Sequence, residues 1–135
     1  MFASCDFWGT FSFVIENNTD EEVLICYNPQ IGRWEDVLPT YEHGPDYQLQ
    51  FSETDTILSV ESHHSLNWDI DAGIVGYHFP TEYDTPKAYD ISPVWERIKY
   101  IVVGTDTLSA DNYSEDKWVR SRKDYHCIYT LSISE

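Results

Sequence analysis

Apolar and polar residues alternate along much of the chain, at the two-residue period of a strand with one buried face. Phe11, Phe13 and Ile15 fall on one side of a segment beginning at Thr10, with Ser12 and Glu16 on the other. Asn17-Asn18-Thr19-Asp20 then reads as a turn, because short polar side chains bond the local backbone and tolerate left-handed angles. Glu22 to Tyr27 is a second strand, stopped by Asn28-Pro29, since proline cannot donate to a ladder. Tyr47, Leu49 and Phe51 alternate with Gln48, Gln50 and Ser52. Thr56 to Glu61 makes the next strand, with Leu58 and Val60 inward.

Two stretches lack this period. Gln30 to Asp46 is broken by Gly32, Pro39, Gly44 and Pro45, and Ser62 to Ser92 by Gly73, Gly76, Pro80 and Pro86. Both read as irregular. The first tucks one short strand with Trp34, Val37 and Leu38 against the core, and the second forms long loops that hold a strand around Ile74 to Phe79 and a helical turn within Lys87 to Trp95. Regularity returns at Arg97, where Ile98, Tyr100 and Val102 share a face with Ile101 and Val103 opposite. Gly104-Thr105 fits a two-residue hairpin leading into Asp106 to Leu108. Ser109 to Asp124 is polar and punctuated by Trp118, and Tyr125, Cys127, Tyr129, Leu131 and Ile133 form the closing face. Short strands, frequent turns and no long amphipathic helix predict an all-β fold: an antiparallel immunoglobulin-like β-sandwich with long irregular loops.

Composition supports a packed core. Of 135 residues, 41% are hydrophobic and 16% aromatic, and the five Trp and ten Tyr suit strands better than helices. No run approaches the ~20 apolar residues of a spanning helix. The formal charge of −16 is unevenly placed: Arg33 is the only basic residue before Lys87. Such a field repels phosphate backbones, so no nucleic acid partner is expected. The same charge solubilises the surface.

Candidate chemistry is sparse. His63-His64 are adjacent and would diverge on a strand, His43, His78 and His126 are isolated, and no zinc spacing is present. Asp69 and Asp71, with Asn67 and Glu82 or Asp84 nearby, have the alternation that can converge on calcium, but the glycine and terminal glutamate of an EF-hand loop are missing. These read as solvated loop carboxylates, and no metal or cofactor is assigned. No nucleophile elbow or phosphate loop occurs, and no catalytic residue is assigned. Aromatics are the better functional signal. Trp34, Trp68, Tyr77 and Tyr83 sit in or beside loops, where an apolar ring with a polar handle suits recognition of a sugar or a protein. Their alternative role is to cap the ends of the sandwich.

Phe2-Ala3-Ser4-Cys5 resembles the end of a bacterial lipoprotein signal peptide, in which small residues precede the lipid-bearing Cys. With it go the strand ending in Asn17-Asn18-Thr19-Asp20, the Ser92-Pro93-Val94-Trp95 entry, Ile98-Lys99-Tyr100-Ile101-Val102-Val103-Gly104 and Tyr129-Thr130-Leu131-Ser132-Ile133. Together these resemble small lipoproteins of the Bacteroidota envelope, over most of the chain. The resemblance implies export, a lipid on Cys5, a sandwich and no catalytic residues. It divides the chain into residues 1–5, the remnant of a signal peptide, and 6–135, a single β-sandwich domain. The protein would then be extracytoplasmic, held to the bacterial envelope, at the outer membrane, through its lipid anchor. Asp55-Thr56-Ile57 and Asp106-Thr107-Leu108 resemble O-glycosylation acceptors of that group, or are plain turn residues. With Cys5 acylated, Cys26 and Cys127 remain as either a disulfide or two separately buried thiols. The expected function is a non-enzymatic recognition or accessory module with a protein or glycan partner; the alternative is a carbohydrate-binding component of a surface glycan-utilisation system.

Overall fold

A computed structural model describes residues 8–28, 40–41, 55–74, 86, 93–123 and 126–134. Nine strands are formed there: β1 (Trp8–Asn17), β2 (Val23–Tyr27), β3 (Thr40–Tyr41), β4 (Thr56–Val60), β5 (Ser65–Ile74), β6 (Ile98–Val103), β7 (Asp106–Thr107), β8 (Val119–Lys123) and β9 (His126–Ile133). They make two sheets, one in the order β3-β5-β1-β9-β8 and the other β4-β2-β6-β7. The architecture is an all-β sandwich. Short 3-10 turns at Val94–Glu96, Ala110–Asn112 and Glu115–Lys117 join the later strands.

The alternation seen in the sequence becomes the interior. Phe11, Phe13 and Ile15 of β1 meet Val23, Ile25 and Tyr27 of β2 across the gap, all at most 1% exposed. Leu58 and Val60 join from β4, Leu66 and Trp68 from β5, and Cys127, Tyr129, Leu131 and Ile133 from β9. Phe13 is the hub of an aromatic group: it stacks on Tyr129 at 5.5 Å and meets Trp95 and Trp118 edge-on at 5.5 and 6.2 Å. Trp118 can be buried because its indole N–H donates to the Tyr113 carbonyl at 3.1 Å.

One turn ties the two sheets. Asn17, fully buried at the end of β1, donates from Nδ2 to the Glu21 carbonyl (2.8 Å) and to the Val60 carbonyl of the other sheet (3.0 Å). Its Oδ1 accepts from the Thr19 backbone N–H (3.0 Å) and hydroxyl (2.7 Å). The turn expected at residues 17–20 is therefore also an inter-sheet lock.

Several expectations are corrected. The sandwich is not wholly antiparallel, because β1 pairs in parallel with β9 from Thr10↔His126 to Asn17↔Ile133. Parallel strands need a crossover, and here most of the chain intervenes between the two. Residues 62–92 are not all loop: Ser65–Ile74 is a ten-residue strand beside β1. Leu66, Trp68 and Ile70 alternate there, but Asp69, Asp71 and Gly73 disguise the period. In β6 the facing is different too. A bulge opposite Cys26/Tyr27 changes its phase, so Ile98 and Ile101 are buried while Tyr100 is 40% exposed. Strand β8 has every residue exposed and thus no apolar period to reveal it. The strands expected at 47–51 and with Trp34, Val37 and Leu38 lie outside the described residues, as does 75–79 of the one expected around Ile74 to Phe79.

Phe13→Ala should lower stability by about 3–5 kcal/mol through lost burial and a cavity, whereas Ile57→Ala should stay within about 0.5 kcal/mol. Asn17→Ala should cost about 2 kcal/mol or more, since it strips partners from buried backbone groups. Urea midpoints at unchanged m-value measure all three.

Candidate functional site

The inward side of β1 is committed to the core, so its chemistry faces outward. Ser12 lies at the centre of that outer face, opposite Asp69 on β5, while His126 on β9 sits opposite Thr10, one alternation away on the same face. These placements bring three side chains together. Ser12 Oγ lies 2.5 Å from Asp69 Oδ1 and 2.5 Å from His126 Nε2. Asn67, one alternation before Asp69, donates from Nδ2 to Asp69 Oδ2 at 3.2 Å. Beneath Asp69 and His126, Ser12 is only 3% exposed, whereas Asp69 itself is open to solvent. At the far end of this face Ser132 donates to Glu16 Oε1 at 3.1 Å.

Proton counting sets the direction of this network. A carboxylate only accepts, so the single Ser12 hydroxyl proton goes to Asp69. Ser12 Oγ also meets His126 Nε2, a ring nitrogen that donates or accepts according to its tautomer. The cluster places Asp69 and His126 side by side around Ser12 on neighbouring strands. It does not complete a metal site: no group of three or more His, Cys, Asp or Glu suited to a metal occurs among the described residues.

Of the residues singled out from sequence, Asp69, Asn67 and His126 join this cluster and the others fall elsewhere. Trp68 is wholly buried, its ring 5.3 Å from that of Tyr27, so it is a core residue and not an exposed stacking platform. Its place on β5, facing inward opposite Phe13, is the reason. Asp69 and Asp71 are strand residues, not loop residues. Cys5, Trp34, Tyr77 and Tyr83 lie outside the described residues. Thr107 is exposed on β7, but Thr56 faces inward at 9% exposure with its hydroxyl buried, which leaves no room for a glycan. His63 and His64 occupy the turn between β4 and β5, where His63 bonds Asp20 at 2.9 Å and His64 bonds the Ser62 carbonyl at 2.8 Å.

Cys26 and Cys127 are both buried thiols, and no disulfide joins them. Cys127 faces the core from the first sheet, whereas Cys26 lies outside the core cluster, on the face of β2 shared with Tyr100. Burial raises the Cys26 thiol pKa, against the lowering effect of its hydrogen bond with Tyr100. That bond in turn raises the Tyr100 phenol. Sequence missed Ser12, Asn67 and His126 as a group. Ser12 and His126 stand 114 residues apart, and only sheet register unites them.

Because folding holds the Cys26 thiol in its neutral form, its stabilising contribution is complete below the unfolded thiol's pKa. It is lost as pH rises through the raised folded value. Urea midpoints of the wild type should therefore fall on the alkaline side more steeply than those of Cys26→Ser. Peptide mapping after alkylation without reductant should find Cys26 and Cys127 each modified only once the protein is unfolded.

No protein-family model, curated protein or solved structure matches this chain.

Proposed function

We propose that the chain is a recognition or accessory module without catalytic chemistry, displayed from a bacterial envelope by a lipid on Cys5. The observation that carries this reading is the Ser12-Asp69-His126 network on the outer face of a sheet. It presents an exposed carboxylate beside a histidine on neighbouring paired strands. Groups held on paired strands keep their geometry better than groups on loops, which suits binding by preorganisation. The envelope address, the anchor and an immunoglobulin-like type of sandwich belong to the same reading, and they rest on the sequence resemblance. Two sheets closed over one aromatic core are compatible with that type.

A specific pair favours the second reading, a carbohydrate-binding component of a surface glycan system. Asp69 offers an exposed carboxylate on the outer face, oriented by the Asn67 amide, and such an acceptor can engage sugar hydroxyls.

On a glycan array, binding by the wild type that drops at least about tenfold with Asp69→Ala would support the sugar reading, at roughly the 1.4 kcal/mol that such a loss represents. Absence of binding by the wild type would remove it. For the anchor, cells expressing the gene with its natural upstream sequence should incorporate a fatty-acid probe into this protein, and Cys5→Ala should abolish the label. An unlabelled wild type would defeat the envelope assignment.

A further inference from the structure

The end of the sandwich opposite the Asn17 turn has a polar interior that the described residues do not satisfy. Tyr27, the last residue of β2, is its centre. Thr56 is its register partner on β4, Ile98 its partner on β6 directly after Arg97, and Trp68 packs on its ring from the facing sheet. Thr56 Oγ1, Trp68 Nε1 and Arg97 Nε are all buried there with no hydrogen-bond partner. Trp68 is wholly buried and Arg97 only 5% exposed. Among the described residues the guanidinium makes one hydrogen bond, from Nη1 to the Tyr27 hydroxyl oxygen at 3.1 Å. No ion pair to a described carboxylate accompanies it.

A neutral phenol relieves one donor of Arg97 but none of its charge. Burying a guanidinium without an anion is costly, and leaving an indole N–H unsatisfied beside the same ring adds to that cost. A trapped water would accept a hydrogen bond and still leave the charge uncompensated. With Nη1 taken by Tyr27, the Nε side of the planar fork remains, and this edge matches the two oxygens of a carboxylate. One buried cation calls for one negative charge, which disfavours a dianionic phosphate. We propose that this end of the sandwich binds the carboxylate group of a small organic acid, with Arg97 as its fork, Trp68 Nε1 as a second donor and Thr56 as a third polar contact. This site is separate from the outer-face cluster of Ser12 and does not rest on the recognition reading above.

The test uses the whole chain and acetate as the probe, titrated against chloride at equal ionic strength. The ¹⁵N-labelled indole resonance of Trp68, identified by its loss in Trp68→Phe, should move saturably with acetate. The thermal midpoint should rise along with it, as expected when a ligand binds only the folded state. Arg97→Lys keeps the charge but loses the fork, and should weaken acetate binding about tenfold or more, a difference of roughly 1.4 kcal/mol. An indole resonance and a midpoint that respond equally to chloride and acetate, or to neither, would overturn the proposal. That result is read on the wild type, so it stands even if the Arg97 variant does not fold.

Discussion

Strand β1 has hydrogen-bonded neighbours on both sides, β5 antiparallel and β9 parallel, and its two faces have opposite duties. Phe11, Phe13 and Ile15 are removed from water entirely, and the apolar surface they bury against the second sheet is the dominant favourable term in folding. Because side chains alternate strictly, a slip of one residue would turn Phe13 to solvent and Ser12 into the core. The register that protects the hydrophobic interior is thus the same register that assembles Ser12, Asp69 and His126 outside it. Stability and surface chemistry are coupled through one strand.

The polar groups divide according to how completely they are satisfied. At the Asn17 turn both ends of a buried amide are used, and the group binds one sheet to the other. At the opposite end Arg97 and Trp68 are buried with donors left over. Buried polar groups are ordinarily satisfied, so it is the second cluster, short of acceptors, that calls for a partner. Tyr27 links that end to the core by packing on Trp68 and accepting from Arg97.

The edges and outer faces carry a different logic. Strand β8 closes one side of the first sheet with Arg120, Arg122 and Lys123 exposed, on a chain of net charge −16. Charged side chains on an open edge oppose pairing with a second edge of the same kind. On the second sheet, Cys26 is covered by its neighbours although it faces away from the core, and it is held as a neutral thiol.

Sequence alone determined the all-β class, the inward faces of β1, β4 and β9, the turn at Asn17 and the hairpin at Gly104, whose φ of +61° suits glycine. These depend on local periodicity and local backbone preference, both of which a linear reading contains. Tertiary structure decided the parallel pairing of β1 with β9, the bulge that turned Tyr100 outward, and the burial of Trp68. It also separated Cys26 from Cys127 and joined Ser12 to Asp69 and His126. Each of these is a relation between strands distant along the chain. The period of a strand says which residues share a face, but only the register between strands says which residues meet.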